Sequence, residues 1–302
     1  MWRAGDSITP EVQLVRPLAE GSMGQVWAAR HRALGIDVAV KLIGRGVVED
    51  DDRRRLEREA RAASEIASPH VARVFDHGRT PAGDPFMVME LLEGEPLDTR
   101  LEREGRVALD EVAALVTQIA DALDRAHAAG IVHRDVKPAN LFLARTAHGT
   151  SAKLLDFGVA KWMGTDGADG VLTADGSLVG TPHYMSPEQI IHGSRLSIQV
   201  DLWSLAVVAY ECLAGRRPFE AATLDDLSLT IFASRFPRLT EIRPDLSPGL
   251  DMFFARAFRK KVDERYTDVR AMATAFEDLS RRHRGYDEDA ATAPRHAHHD
   301  PD

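Results

Sequence analysis

Cysteine is almost absent from this sequence. Its 302 residues include a single cysteine, Cys212, so the chain cannot form an internal disulfide or a cysteine-based metal site. Because structural disulfides belong to oxidising compartments, this composition favours a reducing one, and we predict a cytoplasmic location. Cys212 lies in an apolar run, where we expect a buried and unreactive thiol.

Long apolar runs are missing as well. The longest near-apolar stretch, residues 202–215, is interrupted by Ser204 and Glu211 and is too short to cross a bilayer. Residues 1–10 contain no apolar stretch of the kind found in signal peptides. We therefore expect no membrane segment in this chain.

Basic residues are in the minority among the charged ones. The chain has 47 acidic and 38 basic residues, a formal net charge of −9. Proteins that bind nucleic acids usually present a basic face, so we predict no nucleic-acid partner. The hydrophobic fraction of 44% is ordinary for a globular protein and is enough for a sizeable core. The length predicts one or two subdomains.

The first ninety residues are predicted to form strands with one helix. Short apolar or β-branched runs predict strands at residues 12–18, 25–30, 38–43, 71–77 and 86–92. The charged, alanine-rich segment 50–67 carries apolar residues at helical spacing and predicts the helix.

After Gly94 the pattern changes to helices. They are predicted at residues 110–129, 200–214, 250–259 and 269–282. The second of them is apolar nearly all round, which predicts a buried helix that ends at Gly215. Residues 285–302 are rich in Asp, His, Ala and Pro and are predicted to be a disordered tail.

Three weak functional signals lie in the strand-rich part. Residues 18–26 form a glycine-containing turn between two strands, which suits phosphate binding through backbone N–H groups but also any β-hairpin. Lys41 ends an apolar string, where it either meets an anionic partner or reaches solvent at the strand end. Glu59, in the predicted helix, is a candidate partner, although it also resembles a solvated helix charge.

The strongest signal is the segment 131–140, which follows a predicted helix end. It brings an acid, two bases and an amide together between apolar flanks, which is unusual for an ordinary loop. The carboxylate of Asp135 suits the acceptance of a hydroxyl proton. Lys137 suits neutralisation of phosphate charge, and the amide oxygen of Asn140 suits a Mg²⁺ ligand. A string of this length is specific.

Four further motifs follow in order. Asp156 ends a predicted strand and precedes Phe157 and Gly158, which suits a metal carboxylate at a hinge. The segment 180–188 comes after a polar loop, the segment 201–204 opens the buried helix, and Arg265 lies far downstream.

In order and spacing, these motifs resemble the eukaryotic-type (Hanks-type) protein kinase family, and the strings around Gly24, Glu59 and Ser186 resemble its bacterial serine/threonine members. The resemblance covers residues 12–282. It implies an α+β, bilobal fold with a β-rich N-lobe that has one regulatory helix (12–91) and a larger helical C-lobe (92–283). Residues 1–11 would be an N-terminal extension and residues 284–302 the tail.

For the phosphates of ATP, the resemblance implies a covering loop and a lysine. The loop residues are Leu18, Ala19, Glu20, Gly21, Ser22, Met23 and Gly24. Lys41 would contact the α- and β-phosphates and be held by Glu59. Ala19 departs from the glycine usual in the family, and we expect it to be tolerated if its φ is negative.

For adenine, the resemblance implies a pocket at the junction of the two lobes. Met89 would be the gatekeeper, and Glu90 and Leu92 would offer backbone groups to the base. The residues that would enclose the purine are Val26, Ala39 and Phe142.

For catalysis, the resemblance implies that Asp135 positions the substrate hydroxyl and accepts its proton while Lys137 supports the γ-phosphate. Asn140 and Asp156 would hold Mg²⁺, with Mn²⁺ as an alternative. The residues that would brace the C-lobe and the catalytic loop are Glu188, Arg265 and Asp201.

The implied activity is transfer of the γ-phosphoryl group of Mg-ATP to serine and threonine hydroxyls of proteins, with a signalling role. The serine/threonine choice rests on Lys137-Pro138 and on Thr181, which would contact the catalytic aspartate and lysine. A pseudokinase, which binds without turnover, is the alternative. The presence of the full set of catalytic motif residues argues against it.

The resemblance also implies regulation by phosphorylation. Arg134, beside the catalytic acid, would leave a positive site that a phosphate on the activation segment fills. Thr173 is the predicted main autophosphorylation site and Ser177 a further candidate. The sequence leaves open a dimer in which one copy phosphorylates the other. It also departs from the usual alanine at Ser186.

Overall fold

The computed structural model describes residues 2–21, 24–43, 66–155, 182–191 and 197–292, with side chains described up to residue 284. The predicted helix at 50–67 lies, except for its last two residues, outside these ranges.

The N-terminal part forms a five-stranded antiparallel sheet with the order β1-β2-β3-β5-β4. Its strands are β1 (Val12–Gly21), β2 (Gly24–His31), β3 (Ile36–Ile43), β4 (Val74–Arg79) and β5 (Pro85–Glu90). All five predicted strands are present. The fourth begins three residues late, because Val71 instead forms a parallel bridge with Leu154 of the C-terminal lobe.

One face of this sheet forms the core of the small lobe. Alternate residues of the strands are buried there, since successive side chains of a strand point to opposite faces. These buried residues are Val12, Leu14, Trp27, Ala29, Val38, Val40, Leu42, Phe86 and Val88.

The N-terminal residues, predicted as an extension, pack against the same core. Ile8 is fully buried in the small-lobe cluster, and Trp2 packs against it. The backbone joins β1, because the N–H of Gly5 donates to Leu14 O and the N–H of Leu14 donates to Asp6 O, each at 2.8 Å. Two isolated apolar residues in a turn-rich segment have no period, so the sequence pattern did not reveal this packing.

The C-terminal part is mainly helical. Its described helices are α1 (Leu97–Glu104), α2 (Leu109–Ala128), α3 (Pro187–Ile191), α4 (Gln199–Ala214), α5 (Leu224–Phe232), α6 (Leu239–Ile242), α7 (Pro248–Ala257) and α8 (Val269–Thr292). The predicted burial of α4 is confirmed, and Cys212 within it is buried. Gly215 ends this helix in the left-handed conformation. Within the described ranges, no helix has both the length and the apolar character that a membrane crossing needs.

A second sheet lies at the start of the large lobe. It consists of β6 (Gly94–Pro96), β7 (Leu141–Thr146) and β8 (Gly149–Leu154), in that order. Gly94 has a φ of 143°, and a β-carbon there would lie 2.0 Å from Leu143 O. A side chain at this position is therefore excluded, and the glycine lets the chain enter the large lobe close to β7.

Helix α8 is longer than predicted. It continues to Thr292, so residues 285–292, which were assigned to the disordered tail, are helical. Extending an existing helix adds one hydrogen bond for each residue that is ordered, and Ala290 and Ala291 favour the helical state. Composition alone did not reveal this continuation. The remaining tail residues lie outside the described ranges.

The two lobes meet along β8. The N–H of Leu154 donates to His70 O (2.8 Å), and the N–H of Ala72 donates to Leu154 O (3.0 Å). Segment 68–73 therefore joins the small lobe to the end of β8 by backbone bonds.

Candidate active site

The loop that carries Asp135 is held by a buried carboxylate beneath it. Asp201, in the first turn of α4, is fully buried. Its two oxygens accept from the N–H groups of His133 (2.9 Å) and Arg134 (2.7 Å), and His127 Nε2 lies 2.8 Å from Oδ2. The structure thus places Asp201 against the loop backbone as the sequence predicted.

Arg134 adopts a conformation that a non-glycine residue rarely takes. Its φ is 66°, which costs about 1 to 3 kcal/mol in such positions. Asp201 holds its N–H, and the Gln189 side chain donates to its carbonyl (2.9 Å). Both ends of the residue are therefore fixed, which stabilises the strained turn. The Arg134 side chain is exposed, and within the described ranges it forms no ion pair.

Asp135, Lys137 and Asn140 come together in one cluster. Lys137 Nζ donates to Asp135 Oδ2 (2.8 Å), and Asn140 Nδ2 donates to the same oxygen (3.0 Å) and to Asp135 O (2.8 Å). Two donors orient the carboxylate through one oxygen. No residue in the described ranges donates to Oδ1, so this oxygen has room for a further donor.

Asn140 is oriented for a cation. Both of its described hydrogen bonds use Nδ2, which turns Oδ1 away from Asp135. An amide oxygen free of donors suits Mg²⁺, so Asn140 fits the predicted metal role. The second predicted ligand, Asp156, lies outside the described residues. Within those residues, no cluster of three His, Cys, Asp or Glu side chains suits a metal ion.

The end of β8 is fastened to the same loop. The N–H of Leu155 donates to Asn140 O (2.8 Å), and His133 Nε2 lies 3.0 Å from Leu155 O. The residue that precedes Asp156 is therefore held at both its N–H and its carbonyl.

The small-lobe sheet collects the predicted nucleotide residues on one face. Val26 is paired with Lys41, and Ala39 is paired with Met89. Residues that pair directly across antiparallel strands share a face, as do residues two apart on a strand, so these four side chains lie together. This face is opposite to the buried core of the lobe. Lys41 is itself 8% exposed.

The strands on either side of the glycine-containing turn form an antiparallel pair. Pairing runs from Ala19 opposite Val26, through Glu20 opposite Gln25, to Gly21 opposite Gly24. The predicted tolerance of Ala19 is supported, because its φ is not positive. Leu18 is 39% exposed and lies at a bulge of β1.

The remaining residues predicted to contact adenine lie on the second sheet and at the junction of the lobes. Phe142 on β7 is half-buried and is paired with Pro96 and Lys153. At the junction of the lobes, the N–H of Glu90 donates to Arg73 O (2.9 Å), so this N–H is already occupied. Leu92 follows, half-buried.

Several predicted site residues lie outside the described residues, and their roles stay predictions. They are Ser22, Met23, Glu59, Asp156, Thr173, Ser177 and Thr181.

Comparison with known proteins identifies this arrangement. A family model for the protein kinase domain matches residues 12–277. The chain belongs to the protein kinase family. The expected bilobal fold, with a β-sheet lobe and a helical lobe, is confirmed.

The relatives of this kinase domain are bacterial serine/threonine kinases. Serine/threonine-protein kinase PknH of Mycobacterium bovis is 37% identical over 274 residues, which is 90% of this chain and 44% of the relative. Serine/threonine-protein kinase Pkn1 of Myxococcus xanthus is 36% identical over 272 residues, which is 88% of this chain and 38% of the relative. The chain thus spans less than half the length of these relatives.

A solved structure has the same architecture. The crystal structure of the Mycobacterium tuberculosis PknI kinase domain is 26% identical to the chain, with a TM-score of 0.72. It covers 92% of this chain, and the whole of the PknI domain is matched.

Sequence reasoning missed three polar contacts of the kinase domain. Gln189 links two segments, because it bonds Ser186 through Oε1 (3.0 Å to the backbone N–H) and Arg134 through Nε2. Tyr184 donates to Glu211 Oε2 (2.6 Å), and burial raises the pKa of both groups. His127 contacts Asp201, as described above. The one signal available in the sequence was Glu211 itself, a charged residue inside the apolar helix α4.

The kinase domain is braced by a buried ion pair. Arg265, whose side chain is 1% exposed, binds Glu188 through two bonds of 2.8 Å. Its Nε also donates to Arg259 O (2.8 Å), and its guanidinium lies 4.9 Å from the Trp203 ring. The predicted pairing of Arg265 with Glu188 is present.

Replacing Arg265 with lysine is expected to lower the free energy of unfolding by about 2 to 4 kcal/mol, because an ammonium cannot make the paired bonds and leaves buried acceptors unsatisfied. Urea unfolding monitored by circular dichroism measures the loss. Arg259→Lys is the matched control, since the Arg259 side chain is exposed. Equal unfolding midpoints for the two variants would contradict this prediction.

Proposed function

We propose that this chain is the catalytic domain of a serine/threonine protein kinase, which transfers the γ-phosphoryl group of Mg-ATP to hydroxyls of protein substrates. The observation that carries the proposal is the Asp135 cluster. Its carboxylate is oriented through one oxygen by Lys137 and Asn140, and the other oxygen receives no bond from the described residues.

In the proposed reaction, Asp135 orients the substrate hydroxyl and accepts its proton as the oxygen attacks the γ-phosphorus. The bond to the β-phosphate oxygen breaks, and ADP leaves. Lys137 is close enough to Asp135 (2.8 Å) to face the same γ-phosphoryl group, where its charge offsets the negative charge of the transition state. Thr181 is proposed to contact this pair.

We propose that Asn140 and Asp156 hold Mg²⁺, with Mn²⁺ as a substitute. When bound, the metal neutralises phosphate charge. Asn140 presents its amide oxygen because Nδ2 is occupied by Asp135. Because Nδ2 donates to Asp135, Oδ1 is the amide atom that would face the cation.

The nucleotide is proposed to bind between the two sheets. The shared face of Val26, Ala39 and Met89 supports an adenine site above Phe142. The Glu90 carbonyl and the Leu92 backbone are the proposed hydrogen-bonding groups. Lys41, on the same face, is proposed to contact the α- and β-phosphates with Glu59 as its partner, beneath the hairpin of residues 18–24.

Regulation is proposed to act through Arg134. Its exposed side chain lies beside Asp135, and a phosphate on Thr173, or on Ser177, is the proposed partner. Protein substrates, a cytoplasmic location and a dimer that phosphorylates itself in trans are further proposals.

The test is incubation of the purified chain with Mg²⁺ and ATP labelled at the γ-phosphate, followed by acid hydrolysis and mass spectrometry. Phosphoserine or phosphothreonine is expected, with Thr173 as the main site. A folded protein that binds ATP but transfers no label to itself or to casein would contradict the proposal. Label on an active chain with unmodified Thr173 would contradict the site assignment alone.

A further inference from the structure

One carboxylate joins three segments at the junction of the lobes. Glu90 is the last residue of β5, and its Oε1 accepts from Lys153 Nζ (2.6 Å) and from the N–H of Arg73 (2.8 Å). Lys153 belongs to β8 of the second sheet, and Arg73 precedes β4. A single oxygen thus receives one bond from the large lobe and one from the connecting segment.

The backbone around this oxygen is fixed on two sides. Glu90 and Arg73 bond reciprocally, because the N–H of Glu90 donates to Arg73 O while the side chain of Glu90 accepts from the N–H of Arg73. Leu154, next to Lys153, bonds His70 and Ala72 through its backbone. Segment 70–73 therefore forms backbone hydrogen bonds to β8 through His70 and Ala72 and to β5 through Arg73. The ion pair between Glu90 and Lys153 links these two strands directly.

The ion pair also lies beside the proposed adenine site. Lys153 is paired directly with Phe142 and shares its face of the second sheet. Glu90 immediately follows Met89. The bond between Glu90 and Lys153 therefore connects the end of β5, where Met89 lies, to the sheet that carries Phe142.

We propose that Glu90 and Lys153 are positioning residues for the nucleotide: their ion pair sets the spacing between the end of β5 and β7–β8 at which adenine fits. This inference rests on the proposed kinase function. It assigns the pair an effect on nucleotide affinity rather than on the phosphoryl-transfer step, because Asp135 and Lys137 are held by contacts that do not involve it.

The competing explanation is that the ion pair stabilises the fold and has no effect on nucleotide binding. Side chains that are 15% and 25% exposed are partly screened by water, and an exposed pair contributes little to stability. The pair is preformed, because the Glu90 carboxylate is oriented by the Arg73 N–H and lies 2.6 Å from the Lys153 ammonium. A preformed pair of this kind acts on spacing even where it adds little to stability.

The test compares Lys153→Met, Lys153→Arg and the double variant Glu90→Gln/Lys153→Met with the parent chain. Binding of a fluorescent ATP analogue with Mg²⁺ gives Kd, and casein phosphorylation gives kcat and KM for ATP. Lys153→Met is expected to raise Kd and KM by about 5- to 20-fold, in the range of typical coupling effects, with a smaller change in kcat. Lys153→Arg is expected to keep the nucleotide affinity of the parent. The double variant is expected to bind the nucleotide no more weakly than Lys153→Met alone, since the two residues act as a unit.

Lys261→Met is the matched control, because Lys261 forms an exposed ion pair with Glu264 (3.2 Å) within the large lobe. It is expected to leave Kd, KM and kcat unchanged. Parent-like nucleotide affinity in Lys153→Met, with only a lower melting temperature, would overturn the inference and leave a structural pair. A parent chain that binds no ATP analogue at all would overturn the proposed function and this inference with it.

Discussion

Replacing Asp135 with asparagine is expected to lower the rate of phosphoryl transfer by about 10²- to 10⁴-fold, the usual contribution of a positioned proton acceptor. Asparagine has nearly the same shape, and its amide oxygen still accepts from Lys137 or Asn140. It does not accept the hydroxyl proton at neutral pH, and its NH₂ group presents a donor where the substrate hydroxyl needs an acceptor. The loss corresponds to about 3 to 5 kcal/mol of transition-state stabilisation.

The measurement is a time course of γ-phosphate transfer from Mg-ATP to casein and to the chain itself. ATP binding is expected to remain close to that of the parent, since Asp135 makes its contacts at the transferring end. Asp37→Asn is the matched control: Asp37 is exposed on β3, where it pairs with Arg30. Turnover by Asp135→Asn equal to that of the control would rule out Asp135 as the proton acceptor.

Replacing Asp201 with alanine is expected to have the largest effect on stability. The change removes a fully buried carboxylate and leaves the N–H groups of His133 and Arg134 without their acceptors. Unsatisfied buried donors and a broken buried network cost about 3 to 5 kcal/mol together. The left-handed turn at Arg134 also loses the bond that holds its N–H. Asp135 is the next residue, so we expect turnover to fall as well as stability.

The control variant Asp251→Ala distinguishes the loss of stability from the loss of turnover. Asp251 also lies in the first turn of a helix, α7, and it accepts from the N–H (3.1 Å) and the hydroxyl (2.5 Å) of Thr240. Its loss is expected to lower the unfolding midpoint without lowering kcat at a temperature where the variant is folded. Thermal unfolding and kcat for casein are measured on both variants. Parent-like kcat in folded Asp201→Ala would show that the Asp201 bonds do not position the catalytic loop.

The motifs could be recognised in the sequence because each of them consists of residues that lie close together along the chain. Segment 131–140 places its acid, base and amide within one turn and a following short helix, so their proximity needs no tertiary contact. The pairing of Val26 with Lys41 was less direct. Each residue was predicted, but their shared face depends on the register of β2 against β3.

Several features were not predicted, for identifiable reasons. The packing of Ile8 into the small-lobe core was missed, because two apolar residues without a period give no pattern. The three-stranded sheet went unpredicted, since β6 has only three residues and depends on close approach of Gly94 to β7.

The family and the order of the predicted catalytic residues followed from the sequence alone, since motifs are local properties of a chain, and the resemblance to that family implied the bilobal architecture. The folded chain decided which distant residues meet. Asp201 reaches the backbone of Arg134 across 67 positions, and Lys153 reaches Glu90 across 63. No local pattern encodes such contacts, because they arise only when packing of the helices and sheets brings remote segments within hydrogen-bonding distance.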